Sequence, residues 1–382
     1  MKTDDQASPT GRLFRTGSGV TITDLNAACY RIPLDAPLTD ATHGRHDHYD
    51  LVTVEVAAAG GHTGLGYTYT VHAGGGAILA LIERDLAPLL IGADAGDIEA
   101  LWRRMWQWTH YVGRGGIAAF AISAVDIALW DLRAKARQEP LWRTLGGREA
   151  MPVPAYVGGI DLLLPLDELL EQTRAALGGG FRAVKMKVGR DVLGEDLERV
   201  AAMRDLVGAE TALMVDANMR WGVDEAVAAA RELARFGVYW LEEPIEPDDY
   251  AGHRRVAEGG GLPLAAGENL RTVREFAHLI GAGGVAFPEP DVSNIGGISA
   301  WMQVAELAAA HRLPVTSHGV HELHVHLLAA VSNASFLEVH GFATERFVRE
   351  PPRLERGAAL PPDRPGHGVE LDRAALQPFL HP

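Results

Sequence analysis

The sequence predicts an α/β barrel preceded by an α+β domain, and three observations carry that expectation. First, short apolar runs and helix-compatible stretches alternate regularly from residue 152 onward, with strand candidates at 153–157, 183–188, 212–216, 238–242, 264–267, 285–287, 314–317 and 336–339. Second, three successive runs end on an acid, Asp216, Glu242 and Glu268, at equal intervals of 26 residues. If the strands are parallel neighbours, those carboxylates gather at one end of the barrel, where barrel enzymes keep their chemistry. Third, no glycine-rich dinucleotide fingerprint follows the first strand, which favours a closed barrel over an open doubly wound sheet.

The elements follow in chain order. Residues 1–20 are rich in Pro, Gly, Ser and Thr without periodicity and predict a flexible leader. Strands are expected at 21–30, 51–56 and 65–70, with a long polar loop over 38–49 and a flexible turn at Val71-His72-Ala73-Gly74-Gly75-Gly76. Helical periodicity covers 77–90, 97–108 and 118–135, and Gly146-Gly147-Arg148 closes an α+β domain spanning 21–148. The barrel then occupies 149–344, with helices at 166–177, 196–207, 224–236 and 300–311 between its strands. The Pro-rich segment 345–382 is expected to pack back on the N-terminal domain.

Composition narrows the function classes. The chain has 382 residues, 47% hydrophobic, enough for one large barrel and a smaller domain. Its 50 acidic against 35 basic side chains leave a net charge of −15, which argues against nucleic acid and against anionic membranes. An acidic protein that binds an anionic substrate needs local positive charge, and a metal ion supplies it. The single cysteine, Cys29, excludes an intrachain disulfide. With no signal-like or membrane-spanning apolar run, a cytoplasmic protein is expected.

Candidate chemistry lies on the strand ends. Three carboxylates at one point suit Mg²⁺, a hard cation that keeps positions for water and substrate. In Val184-Lys185-Met186-Lys187, alternation puts Lys185 and Lys187 on one face. Their mutual repulsion is expected to lower one pKa and make a general base. Asp291, ending the sixth strand, can orient and activate His318 at the end of the seventh. His321, His324 and His326 are expected to be satisfied structural histidines. Glu338, ending the eighth strand, is placed to hydrogen-bond a substrate carboxylate if it is protonated. A lysine and a histidine on either side of a carboxylate-held cation suit abstraction of a proton α to a carboxylate.

Lys185-x-Lys187, Asp216-x-Asn218, Glu242-Glu243-Pro244, Gly267-Glu268-Asn269, Pro290-Asp291 with Ile295-Gly296-Gly297, Ser317-His318 and Leu337-Glu338 resemble, in order and spacing, the mandelate racemase subgroup of the enolase superfamily. Gly113-Arg114-Gly115-Gly116 and the run 124–131 match its N-terminal domain, so the likeness covers nearly the whole chain. The resemblance implies a modified TIM barrel of (β/α)7β form, with an N-terminal α+β capping domain completed by the C-terminal tail. It implies Asp216, Glu242 and Glu268 as ligands of Mg²⁺, for which Mn²⁺ is a substitute. It further implies Lys187 as base, Lys185 beside the substrate carboxylate, His318 with Asp291 as acid or base on the opposite face, and Glu338 at the carboxylate or enolate. A Lys or His base working with Mg²⁺ that stabilises an ene-diolate is a general property of the superfamily and comes with the resemblance. Glu289 departs from the pattern, standing where relatives carry a neutral residue and adding a negative charge beside the dyad.

Most members with this pattern are acid-sugar dehydratases, and dehydration of a small-molecule acid sugar to a 2-keto-3-deoxy acid is the first expectation. The runs 43–48, 66–70 and 317–324 are similar to the 3,6-anhydro-L-galactonate cycloisomerases, the alternative. A racemase or epimerase, and more remotely a catalytically silent binding barrel, complete the alternatives. Substrate contacts are expected from Arg45, His46, Tyr67, Tyr69 and Asn218, and a homo-oligomer is expected.

Overall fold

The computed structural model describes residues 20–159, 161–339 and 344–381, so the leader expected at 1–20 lies outside the described residues except for Val20. An antiparallel sheet comes first, built from β1 (Ile22–Asp40), β2 (Gly44–Ala58) and β3 (Thr63–Val71). The loop expected over 38–49 is instead the far end of a β1–β2 ribbon, paired as Leu38↔His46, Thr39↔Arg45 and Asp40↔Gly44 beyond a register shift at 33–38. The buried face of this ribbon tip meets a polar pocket instead of the apolar core and carries Asp40 and His46, so its polar sequence hides the strands. Its tip reaches the barrel: Thr39 bridges Asp161, and the Thr42 hydroxyl donates to the Asn218 carbonyl.

The turn expected at 71–76 ends earlier. Gly74, at φ 104°, caps a helix beginning at Gly75 (Gly75–Leu81), which continues through a π turn at Ile82–Leu86 into Ala87–Leu90. Gly75 lies inside the helix, and a Cβ there would lie 2.6 Å from Asp50 Oδ2, so glycine is kept for close contact rather than for a flexible turn.

The sheet packs on a long helix, Gly116–Ala136, which is buried along nearly its whole length. Contact is close because β3 carries Gly64 and Gly66, where an added Cβ would come within 2.0 Å of the Ala128 and Ala124 carbonyl oxygens. The same helix joins the two domains. Asp126 accepts from the Ser299 hydroxyl (2.7 Å) and amide (2.9 Å), Trp130 Nε1 donates to the Ser299 hydroxyl (2.9 Å), and the Ser123 hydroxyl accepts from Gly296 N (2.8 Å).

The barrel strands are β4 (Val153–Gly158), β5 (Ala183–Lys187), β6 (Ala212–Asp216), β7 (Leu241–Glu242), β8 (Leu264–Ala266), β9 (Phe287–Pro288) and β10 (Leu337–Val339), parallel and adjacent in chain order, with β10 returning to β4. The strand expected at 314–317 is reduced to an isolated bridge, Val315↔Ala334. The backbone still pairs towards β9, where Thr316 N donates to Pro288 O (3.0 Å), and side chains take over ladder positions towards β10: the Thr316 hydroxyl donates to Phe336 O (2.8 Å), and Glu338 N to the Ser317 hydroxyl (3.1 Å). The ring still closes. Inside it, Tyr156, Ala183, Met214, Trp240 and Ala265, with Phe287 and Phe336 against them, form an apolar plug. The period of two then puts Lys185, Asp216, Glu242 and Glu338 one step above the plug on the same inner face.

The C-terminal segment touches both domains. A hairpin of β11 (Arg353–Glu355) and β12 (Ala358–Leu360) extends the sheet at β4, and β13 (Leu380–His381) pairs with β1 at Cys29↔His381 and Tyr30↔Leu380. Among the described residues no helix is long and apolar enough to cross a membrane.

The glycine contact generates a prediction. Gly66→Ala forces a methyl into the Ala124–Ala128 backbone, and overpacking of this kind costs about 1–3 kcal/mol. A lowered urea midpoint with unchanged slope is the expected result, and an unchanged midpoint would mean the helix can retreat without cost.

Candidate active site

Hydrogen-bond register sets the site. Lys187 pairs with Asp216 and Asp216 with Glu242 across β5, β6 and β7, so three ionisable residues stand side by side at the carboxyl ends of the strands. Oxygens of Asp216, Glu242 and Glu268 lie within 4.8 Å of one another. Three converging carboxylates are a hard, all-oxygen donor set, which fits Mg²⁺ better than a thiophilic or imidazole-preferring ion.

Each of these carboxylates also meets a nitrogen. Lys185 Nζ lies 2.6 Å from Glu242 Oε1, 2.8 Å from Glu338 Oε1 and 3.7 Å from Asp216 Oδ2, and Lys187 Nζ is 2.5 Å from Asp216 Oδ2. His318 Nε2 is 2.7 Å from Glu268 Oε2, and its Nδ1 is 3.1 Å from Asp291 Oδ2. The lysine pKa expected to fall is therefore corrected. Burial does push both lysines down, but for Lys185 the charges of Glu242 and Glu338, and for Lys187 that of Asp216, more than reverse it. Mutual repulsion is the smaller effect because each ammonium has its own carboxylate. Burial likewise lowers His318, and Glu268 and Asp291 together raise it well above the usual range. Asp291 is held low despite its burial by His318, helped by Ser293, whose amide and hydroxyl each donate at 2.7 Å.

Glu338 accepts from Lys185 on one oxygen and from Gly319 N (2.9 Å) on the other, so it is engaged as an acceptor and holds Lys185 in place. Glu289 corrects another expectation. It is 1% exposed, neither oxygen has a hydrogen-bond partner, and burial first, then the charge of Glu242, pushes its pKa well up. Both effects favour the protonated form, which reduces the negative charge it adds beside the dyad. Glu243, buried and accepting from Asn269 Nδ2 (2.7 Å), is pushed up to about 8 by burial and by Glu268.

A cavity of about 160 Å³ opens over these groups, lined among others by Lys187, Glu268, His318, Asn218, His46 and Tyr69. Ligand sites for drug-sized molecules run roughly 300–1,000 Å³, so this one is of a size for a small ligand. Tyr69 donates to Asp291 Oδ2 (3.2 Å). Arg45 is exposed and is not among the lining residues, because alternation on β2 turns it away when His46 faces in. Tyr67 shares a face with Tyr69 but sits two residues deeper, where its hydroxyl donates to Glu322 Oε1 (2.6 Å) beneath the pocket. His324 and His326 are buried and bonded to backbone on both ring nitrogens, as structural histidines are.

Several lining residues escaped the sequence reading: Asp40, His43, Phe120, Asn269, Arg271 and Asn294. Asp40 and His43 fall in the polar run singled out at 38–49 and only ribbon pairing turns them inward. Phe120 and Arg271, whose guanidinium lies 5.2 Å over the Phe120 ring, come from different domains and share no sequence signal.

Comparison with known proteins gives a consistent set of matches. Residues 22–146 match the mandelate racemase/muconate lactonizing enzyme N-terminal domain, and residues 168–375 the enolase C-terminal domain-like family. The chain is 51% identical over 343 residues to the 3,6-anhydro-alpha-L-galactonate cycloisomerase of Streptomyces coelicolor, covering 90% of this chain and 95% of that one. It is 34% identical to the L-talarate/galactarate dehydratase of Salmonella typhimurium, covering 97% and 93%. Among solved structures, a racemase from Streptomyces coelicolor A3(2) with bound magnesium superposes with a TM-score of 0.92 at 49% identity, covering 94% of this chain and all of that one. An L-talarate dehydratase from Polaromonas sp. JS666, complexed with Mg and L-glucarate, superposes with a TM-score of 0.90 at 33% identity, covering 95% and 98%.

Two predictions come from this geometry. Glu242→Gln removes one of three charges from the cation site and should weaken Mg²⁺ binding at least about tenfold, equivalent to ~1.4 kcal/mol, in calorimetry on folded protein; unchanged affinity would remove Glu242 from the ligand set. Arg45→Ala should leave kcat/KM within about twofold, under ~0.5 kcal/mol, and a larger loss would bring Arg45 back into substrate recognition.

Proposed function

Because this chain belongs to the mandelate racemase/muconate lactonizing enzyme group of the enolase superfamily, we propose that it is a Mg²⁺-dependent cycloisomerase that opens a 3,6-anhydro sugar acid to its 2-keto-3-deoxy isomer. The observation that carries this reading is the pairing of Lys187 and the Asp291–His318 dyad around one carboxylate triad in one small pocket. Asp216, Glu242 and Glu268 would hold Mg²⁺, which would supply compensation for the second negative charge that builds on the substrate carboxylate when its α proton leaves.

Lys187, kept as an ammonium chiefly by Asp216, would be freed to take the proton from C2 when that carboxylate is engaged by the cation. Lys185, fixed between Glu242 and Glu338, holds an ammonium for the substrate carboxylate. The electron pair left on C2 expels the oxygen at C3, and His318, oriented through Nδ1 by Asp291, gives that oxygen its proton. In a 3,6-anhydro acid the departing oxygen stays attached at C6, so no water is lost, and the resulting enol becomes the 2-keto acid. Dehydration, the first expectation from the sequence, differs only in that the C3 oxygen leaves as water. The order of the two readings is reversed because the relative at 51% identity is a cycloisomerase, whereas those at 34% and 32% are dehydratases. Phe120 and Val71 support the same order by giving a polar pocket an apolar side that suits the C–H edge of a ring.

Mass spectrometry separates the readings. With Mg²⁺, 3,6-anhydro-L-galactonate should yield a 2-keto-3-deoxy acid of unchanged mass, and galactarate or talarate should turn over more slowly or not at all; efficient loss of water from an open-chain acid with no reaction of the anhydro acid would make the enzyme a dehydratase. In ²H₂O, Lys187→Ala should lose both product and exchange at C2, while His318→Asn should retain exchange and lose product. The opposite pattern would exchange the two roles.

A further inference from the structure

The tip of the β1–β2 ribbon carries a second convergence of ligand atoms, separate from the carboxylate triad. Asp40 Oδ2 lies 3.1 Å from His43 Nδ1 and 2.8 Å from His46 Nε2, and all three atoms fall within 4.8 Å of one another. We propose that Asp40, His43 and His46 form a binding site for a borderline transition-metal cation of the Zn²⁺ class, set in the lid of the active-site pocket.

The geometry fits such an ion. Zn–N and Zn–O bonds are about 2.0–2.2 Å, so two ligand atoms on one ion stand roughly 3 Å apart, close to both observed separations. The donor is also held in place. Asp40 Oδ1 is used by the amides of Thr42 (3.0 Å) and His43 (2.6 Å), which leaves Oδ2 as the oxygen that meets the imidazoles. His46 is buried and stacked on His72, ring centroids 4.6 Å apart, so its orientation is set by packing. His43 has about a third of its side chain exposed, 34%, which leaves a route for exchange with solvent.

Ligand chemistry separates this site from the triad. Two imidazole nitrogens and one carboxylate prefer Zn²⁺, Co²⁺ or Ni²⁺, whereas three carboxylates prefer Mg²⁺. Three protein ligands leave a coordination position open. Because Asp40, His43 and His46 all line the pocket, that position faces the same space as Lys187 and His318. A cation there would bind the ribbon tip into one unit and place a Lewis-acidic centre at the pocket mouth, within reach of a ligand hydroxyl. This site does not depend on which reaction the enzyme performs.

The experiment uses the full-length enzyme saturated with Mg²⁺ and titrated with Co²⁺, followed by visible absorption and by metal counting after dialysis. One Co²⁺ per chain should bind over excess Mg²⁺ with ligand-field bands of a nitrogen-containing site. His43→Gln and Asp40→Asn should each weaken that equivalent at least about tenfold, and Glu242→Gln should leave it in place. The partly exposed His43 makes its variant the one least disturbing to the fold, and an unchanged melting temperature verifies this. Absence of Co²⁺ binding over Mg²⁺, persistence of the equivalent in His43→Gln, or its loss in Glu242→Gln would each overturn the proposal.

Discussion

Everything at this site depends on keeping charged groups buried on top of an apolar plug. Lys185, Asp216, Glu242 and Glu338 are each no more than 4% exposed, directly above Tyr156, Met214 and Trp240. Isolated charges in such a place would cost several kcal/mol each, and breaking one member of a buried pair leaves its partner uncompensated. The chain meets this by alternating sign around the ring, with Lys185 between Glu242 and Glu338, Lys187 on Asp216, and His318 between Glu268 and Asp291. Acids in excess of that pairing, Glu289 and Glu243, have their pKa values pushed up by burial, which favours their neutral forms. Two of the nitrogens that hold the ring together, on Lys187 and His318, are the ones proposed to move protons, so stability and the proposed reactivity draw on shared contacts.

The cap completes the pocket from a different physical basis. Its antiparallel sheet is locked to the barrel through the helix Gly116–Ala136, whose Ser123, Asp126 and Trp130 bond to the start of the helix Gly297–Ala310. That helix follows Asp291 by only a few residues. The contact therefore holds the cap and also fixes the segment that orients His318. From this base the β1–β2 ribbon extends to the mouth, where Thr39 and Thr42 tie it to the loops after β4 and β6. The lid is a paired ribbon with its tip anchored, and the chemistry of its tip, a carboxylate and two imidazoles, is held by hydrogen bonds.

Much of this was legible in the residues. Seven of the expected barrel strands and the register of Lys187, Asp216 and Glu242 follow from short apolar runs ending on charged residues, because a parallel barrel strand is buried on both sides and must read as an apolar run. The inward direction of Lys185 and Lys187 follows from the period of two. These are local properties, and local sequence expresses them directly. The resemblance to a known family added the roles, which spacing alone does not carry.

Tertiary structure decided the rest. The segment 314–317 has strand-like sequence, yet its ladder is made partly by Thr316 and Ser317 hydroxyls, a substitution visible only when Phe336 and Glu338 are in place. Lysine pKa direction depended on counting carboxylates from three other strands, which no pairwise reading of Lys185-x-Lys187 contains. Arg45 and His46 are neighbours in sequence and opposite in orientation, and Tyr67 and Tyr69 share a face yet differ in depth. Which of each pair meets the pocket is set by where the cap docks on the barrel. The sequence determined by itself which residues end the strands and which faces they take, since backbone periodicity acts over two or three residues. Partner, depth and protonation came from the assembled fold, since electrostatic and packing forces sum over neighbours tens to hundreds of residues apart.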